Sequence, residues 1–295
     1  MEHIAIIGLG IIGGSFAKAI QSQFPTKYHV SAIDIKQTTL DEAIRLGVIA
    51  EGETTNQTIL QRADLVIIAL YPNLVRQFML DHRDEFKPGA IVTEATGIKQ
   101  SIMADILPEV PEDIEFIFGH PMAGRESQGF AFSDERVFLH ANYILTPHDG
   151  NTTEALERFS DFIRGLGFGR LTIASPKLHD EMIAYTSQLT HLIAAALINS
   201  DQPGHNTVEF IGDSFRELTR IAKMNESLWS ELILNNRQAL LTVFEAFEDK
   251  LAIFKEAIVA TDKPALEKEF IESTKRRLNL EAMDQANQYG KERGK

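Results

Sequence analysis

The stretch Ile4-Ala5-Ile6-Ile7-Gly8-Leu9-Gly10-Ile11-Ile12-Gly13-Gly14-Ser15-Phe16 decides the fold. Four apolar residues run into a glycine turn and helix-forming residues follow from Ser15 to Gln21, so the string reads as buried strand, tight turn and helix start. Each glycine of a GxGxxG turn has its own task. Gly8 makes the tight turn, Gly10 leaves room for a pyrophosphate, and Gly13 lets the helix pack close to the strand. The N–H groups at the helix start then face the phosphates. A second apolar run, Tyr28 to Ile33, ends at Asp34, about twenty residues past Gly13. A carboxylate there accepts bonds from an adenosine ribose and repels a 2′-phosphate, which favours NAD over NADP. Lys36 lies close enough to soften that repulsion.

Working outward, 295 residues allow one large or two ordinary domains, and two is the expectation. The net charge of −13 argues against nucleic acid, whose phosphates demand clustered Lys and Arg. The absence of cysteine excludes disulfides, thiolate metal sites and a cysteine nucleophile, and fits a reducing cytoplasm. The start Met1-Glu2-His3 carries no basic targeting region, and no apolar run approaches the roughly 20 residues that span a bilayer. No membrane association is expected.

Strand and helix patterns alternate through the first part of the chain. After Asp34 a helix is expected over 38–46, ending at Gly47, then a short strand near 48–50. Ala63 to Leu70 reads as a continuous apolar strand closed by Tyr71-Pro72 at the ligand edge, followed by a helix over 74–86. Further strands are expected at 90–93, 116–118, 142–146 and 170–173, with helices running on to about 107 and over 154–166. This pattern predicts an α/β fold with a mostly parallel, doubly wound sheet. From Pro176 onward only helices are expected, over 178–199, 208–223 and 228–261, with a shorter one after Pro264. The boundary therefore falls at 174, giving domains 1–174 and 175–295. Leu240, Phe244, Phe247, Leu251, Phe254 and Ile258 step by fours and threes, an apolar seam that needs a partner helix from the same chain or from a second copy.

Three stretches outside the glycine turn carry reactive residues. In Gly119-His120-Pro121-Met122-Ala123-Gly124-Arg125-Glu126, His120 stands between a strand end and a proline, where its neutral ring can accept a proton. A lone histidine more often bonds its own loop, but the place at a nucleotide edge favours catalysis. The second stretch puts His179-Asp180 and His191 on one helix, about three turns apart. His191 is a cleft candidate, whereas His179-Asp180 reads as a structural pair at the helix start. In the third, Arg216 and Arg220 share a helix face, where a guanidinium grips a carboxylate bidentately or joins a surface network with Glu217 or Glu226. None of the nine histidines has HxxxH or HExxH spacing, so no metal is expected.

On these residues the chain resembles the prephenate dehydrogenase family over nearly its full length. The matching pieces are Gly8 to Ser15, Gly119 to Gly124, Ser175-Pro176 with His179-Asp180, and Thr219-Arg220-Ile221-Ala222. The resemblance implies a Rossmann nucleotide-binding domain followed by an all-helical dimerisation domain, hence a homodimer through the C-terminal helices. It implies NAD-dependent conversion of prephenate to 4-hydroxyphenylpyruvate in tyrosine synthesis, in which hydride leaves the ring, carbon dioxide departs and aromatisation drives the step. Nucleotide contacts fall on Gly8, Leu9, Gly10, Ile11, Ile12, Gly13, Asp34 and Leu70. His120 takes the part of catalytic base and Arg220 that of a carboxylate ligand, while His191 and Glu126 match pocket positions. Where the family carries DxGSxK this chain reads Glu94-Ala95-Thr96-Gly97-Ile98-Lys99, so Gly97 replaces the serine, and Thr96 or a water is the candidate source of the hydroxyl. Arg125, Lys99 and Arg220 are expected to make the pocket locally basic. No regulatory ACT-type domain is expected. Arogenate dehydrogenase and a nucleotide-sensing protein without turnover are the other readings.

Overall fold

A computed structural model describes residues 2–124 and 127–292. The first half alternates as expected: β1 (His3–Ile7), α1 (Ile11–Gln23), β2 (His29–Ile33), α2 (Gln37–Arg45), β3 (Glu51–Glu53), α3 (Ile59–Arg62), β4 (Leu65–Ile68), α4 (Pro72–Asp81), β5 (Ile91–Glu94), α5 (Gln100–Ile106) and β6 (Glu115–Pro121). After β6 come β7 (Asn142–Thr146), α6 (Thr153–Gly165) and β8 (Arg170–Ile173). The eight strands form one sheet in the order β3-β2-β1-β4-β5-β6-β7-β8. β1 to β6 are parallel, β7 runs antiparallel to β6, and β8 is parallel to β7. The reversal at β7 follows from its connection, which holds two 3-10 turns (Phe130–Phe132 and Glu135–Phe138) in place of a crossover helix.

Helices cover both sheet faces, which is why the strands read as unbroken apolar runs rather than as alternating ones. Ile4 and Ile6 of β1 pack with Phe16, Ile20, Leu40 and Phe159 on one face. Ala5 and Ile7 pack with Val75, Phe78, Met79 and Ile102 on the other. The strand expected near 48–50 is displaced to Glu51–Glu53. Val48 and Ile49 are buried as an anchor beyond α2, whereas β3 is the sheet edge and carries polar residues, so apolarity marked the anchor instead of the strand.

Beyond β8 the structure is helical, but more segmented than the periodicity predicts. The expected helix over 178–199 comprises α7 (Pro176–Ile183), a π-helical turn (Ala184–Gln188) and α8 (Leu189–Asn199). The segment expected as one helix over 208–223 is a 3-10 turn (Thr207–Phe210), α9 (Asp213–Thr219) and a second 3-10 turn (Arg220–Ala222). The long helix breaks at Asn236, between α10 (Glu226–Asn235) and α11 (Arg237–Val259). Buried Asn236 donates its side-chain amide to the Asp180 carbonyl and to Gln188 Oε1, and Gln188 donates to the Leu232 carbonyl. Side-chain bonding of this kind is invisible to apolar spacing. The final helix, expected to be short, is the 30-residue α12 (Lys263–Glu292). Its support is charge pairing at i,i+4, including Lys263 with Glu267, Arg276 with Glu272 and Arg277 with Glu281, with Pro264 confined to the first turn.

Internal contacts divide the chain into two compact units, one ending at Leu240 and the other beginning at Leu241. The first therefore contains the sheet together with α7 to α10. In the second, Phe254 packs on Phe270 with ring centroids 5.8 Å apart, while Leu251, Ile258, Ile271 and Leu278 stand exposed.

Gly13 tests the helix–strand contact on which the fold begins. A Cβ there would stand 1.9 Å from the Gly8 carbonyl oxygen. In a helix with free space, Gly→Ala stabilises by about 1 kcal/mol. Here Gly13→Ala is expected to destabilise by about 1–3 kcal/mol, read as a lower urea midpoint. An unchanged or raised midpoint would contradict the packing.

Candidate functional site

The sheet changes direction between β1 and β4, the position where open α/β sheets place their ligands. A cavity of about 550 Å³ lies there. Residues 10–12, 69–72, 95–97 and 120–124 line it from the strand ends and the turns that follow them, and Ser187, Gln188, His191, Arg220, Lys223 and Trp229 are among those that line it from the helical part after β8.

On the nucleotide side the glycine turn is built from backbone. Gly8 adopts φ +87°, the left-handed region, and a Cβ on it would meet the Ala69 carbonyl oxygen at 2.9 Å. Its N–H donates to the Ile33 carbonyl at 2.8 Å, which draws β2 against the turn. Asp34 finishes the junction: one carboxylate oxygen accepts the Leu9 N–H and the other the Lys36 N–H, each at 2.8 Å. A Cβ on Gly10 would meet nothing within 4 Å, and no side chain caps the start of α1. An open cradle at an uncapped helix N-terminus suits a pyrophosphate. Among the expected nucleotide residues, Gly10, Ile11, Ile12 and Leu70 line the cavity, while Gly8, Leu9, Gly13 and Asp34 shape the turn beneath it.

β6 delivers His120 to the cavity, and its ring does not stand alone. His120 Nδ1 lies 2.9 Å from His179 Nε2, and His179 Nδ1 lies 2.7 Å from Asp180 Oδ1. Asp180 also accepts the backbone N–H groups of Lys99 and Gln100, both at 2.8 Å, at the start of α5. The sequence reading of His179-Asp180 as a pair anchoring its own helix start is corrected here. Ser175 caps that helix through the Leu178 N–H, and Asp180 serves a helix about 80 residues away while holding the neighbour of His120. Burial holds the His120 ring well below the usual histidine range, and the Lys99 ammonium and His179 add to that effect. Burial likewise lowers His179, against the pull of Asp180.

Lys99 itself does not line the cavity. It is fully buried and pairs with the equally buried Glu94 at 2.9 Å, so its expected share in a basic pocket is corrected. Its ammonium also donates to the carbonyls of Thr96 and Ile98. Thr96 lines the cavity. Its N–H and hydroxyl both donate to Glu94 Oε2, with the Ile98 carbonyl 3.1 Å from the hydroxyl, so the proton is engaged inside the turn. Gly97 leaves space beside the base, since a Cβ there would stand 3.7 Å from His120 Nε2.

In the helical part of the lining, the His191 ring lies against Trp229 with centroids 3.8 Å apart, and its Nδ1 donates to the Ser187 carbonyl at 2.9 Å. Arg220 and Lys223 reach the cavity from the 3-10 turn that ends α9, whereas Arg216 does not line it. Glu126 and Arg125 lie outside the described residues. Sequence reasoning missed Trp229, Lys223 and the meeting of His179 with His120. The first two carried a weak signal, a lone tryptophan and a cation three residues past Arg220. The last carried none, because 59 residues separate the two histidines.

Against known proteins, residues 16–171 match the model for the nucleotide-binding domain of prephenate dehydrogenase, and residues 175–272 match the model for its dimerization domain. A prephenate dehydrogenase of Bacillus subtilis is 31% identical over 83% of this chain and 67% of its own length. A cyclohexadienyl dehydrogenase of Zymomonas mobilis is 30% identical over 95% of this chain and 96% of its own. In three dimensions, a prephenate dehydrogenase from Aquifex aeolicus, solved in complex with hydroxyphenyl propionate and NAD+, superposes with a TM-score of 0.86 at 27% identity, covering 95% of this chain and 98% of that one. Two family models in series and relatives at this level over most of the chain mean that it belongs to the prephenate dehydrogenase family.

Proposed function

We propose that the chain oxidises and decarboxylates prephenate to 4-hydroxyphenylpyruvate, with NAD as the acceptor, in tyrosine biosynthesis. The observation that carries this reading is the placement of His120, between an open phosphate cradle at Gly10 and a wall bearing His191, Arg220 and Lys223. When bound, NAD supplies the acceptor for the hydride lost from the substrate ring. The backbone of residues 10–12 holds its pyrophosphate and Asp34 its ribose. Arg220 and Lys223 bind the carboxylates of the substrate, with His191 lining the same cavity beside Trp229. His120 takes the hydroxyl proton as the ring is oxidised, because an alcohol does not ionise unaided near neutral pH. Apolar walls at Leu70, Ile183 and Leu232 exclude water from the reacting face. The helical part, 175–295, serves dimerisation as well as substrate binding, and the exposed apolar residues of α11 and α12 support a homodimer formed there. Cytoplasmic residence suits the cysteine-free sequence. No described helix is long and apolar enough to cross a membrane.

Mixing the protein with NAD and prephenate and following NADH absorbance tests the activity directly, with arogenate as the comparison substrate. Persistent absence of NADH with both would overturn it. Cofactor preference is read from Asp34: kcat/KM is expected to favour NAD, and Asp34→Ser is expected to shrink that preference while loosening the Leu9 amide. Equal use of NADP by the unaltered protein would remove Asp34 from the ribose site.

The pH profile follows from the sign of the His120 shift. A base held below its ordinary range stays neutral, and therefore competent, further into acid, so the acid limb of kcat/KM is expected below about pH 6.5. His120→Asn is expected to abolish that limb and lower kcat by about 10²- to 10⁴-fold, with NAD affinity unchanged. An intact acid limb in this variant would transfer the role to another residue, His191 first. For assembly, sedimentation is expected to give a dimer that the double change Phe244→Glu, Leu251→Glu converts to monomer. A monomeric unaltered protein at micromolar concentration would assign the seam to contacts within one chain.

A further inference from the structure

The orientation of the base is fixed by residues that never reach the cavity. His179 and Asp180 are each 1% exposed and line no part of it, so neither can touch a substrate. Both nevertheless belong to one bonded chain with His120: His120 Nδ1 to His179 Nε2 at 2.9 Å, then His179 Nδ1 to Asp180 Oδ1 at 2.7 Å. We propose that His179 is a positioning residue that, with Asp180 behind it, holds His120 in the tautomer protonated at Nδ1, so that the unprotonated Nε2 faces the cavity. This rests on the reading of His120 as the base.

Donor and acceptor roles are set from the buried end outward. A carboxylate is an acceptor only, so His179 Nδ1 must carry a proton toward Asp180. A neutral His179 then has a bare Nε2, and that atom can only accept, which obliges His120 Nδ1 to be the donor. One proton on His120 is thereby assigned, and Nε2, the edge nearest Gly97, is left with its lone pair. The opposite arrangement would turn the bare Nδ1 of His179 toward the Asp180 carboxylate and leave two acceptors face to face. It would also protonate the atom that has to receive the hydroxyl proton.

Asp180 has little freedom to permit that exchange. Its two oxygens receive the Lys99 and Gln100 amides, and its carbonyl receives the Asn236 side chain. The charged and titratable groups packed around the histidine pair are Lys99 and Glu94 from the β5–α5 turn and Asp180 from α7. Burial lowers His179, and the Lys99 ammonium adds to this, which favours the neutral ring that the chain of bonds requires. When His120 gains its second proton, the Nδ1–H bond to His179 becomes charge-assisted and strengthens, so the same contact that sets the tautomer stabilises the product of proton transfer.

The test reads the tautomer first and the rate second. Long-range proton–nitrogen correlation spectra of the nitrogen-15 histidine-labelled protein, with His120 assigned by its loss in His120→Asn, are expected to show protonation at Nδ1 in the neutral ring. Protonation of the neutral ring at Nε2 overturns the proposal with no substrate present, and so separately from any failure of prephenate turnover. In kinetics, His179→Phe fills the volume but removes the acceptor, and it is expected to lower kcat by about 10²-fold or more. KM for NAD is expected to stay unchanged and the His120 resonances to report mixed tautomers. His179→Gln, whose amide oxygen can accept from Nδ1, is expected to recover much of that loss and keep the acid limb. If both folded variants keep the His120 tautomer of the unaltered protein, His179 does not position the base. If His179→Phe fails to fold, the spectrum of the unaltered protein and the rate of His179→Gln still decide.

Discussion

The rest of the site depends on one carboxylate in which chain-distant parts meet. Asp180 sits in the first helix after the sheet, yet it accepts the first N–H groups of α5, which follows β5. Helix starts carry unpaired donors and partial positive charge, so an acidic side chain from another segment can satisfy both demands at once. The consequence is geometric. Docking α7 onto the start of α5 brings His179 up to His120 at the end of β6, and the helical wall that carries Gln188, His191 and Trp229 follows from the same docking.

A second buried charge keeps the floor of the site in shape. Glu94 and Lys99 are wholly buried, and burying two ions costs several kcal/mol each before their attraction is counted. Such a pair persists only when its remaining bonding capacity is used. Lys99 spends its donors on Glu94 and on the carbonyls of Thr96 and Ile98, while Glu94 takes the amides of Thr96 and Gly119 and the Thr96 hydroxyl. The turn over 94–99 is thus tied to itself and to β6 at the residue before His120. Ala95, Thr96 and Gly97 are held against the cavity by charges that never enter it.

This division explains what could be read from the chain and what could not. The glycine turn and the buried apolar strands are local: their signals lie in adjacent residues, and the structure forms a strand, a turn and a helix there, with the Asp34 carboxylate closing the turn on the Leu9 amide. His120 was legible for the same reason, at a strand end beside proline. Lys99 was misplaced because a polar residue near a sheet edge looks alike whether it faces a ligand or a buried partner, and only the position of Glu94 decides. The helical part was legible as helix but not as segments, since Asn236, Gln188 and the π-turn answer to hydrogen bonds across the fold. α12 was under-read because charge pairs, not an apolar stripe, sustain it.

The charge balance under the base gives these buried groups a common purpose. Glu94 and Asp180 are two carboxylates against the single ammonium of Lys99, with His179 neutral between them, so the cluster holds one negative charge in excess. In the proposed reaction, a proton delivered to His120 would balance that excess. Desolvation and the positive charge of Lys99 hold the His120 ring below its ordinary range, which favours the neutral form. An acidic protein can therefore serve an anionic substrate: the cations of Arg220 and Lys223 line the cavity, and the compensating carboxylates stay behind the base, paired and out of the substrate's reach.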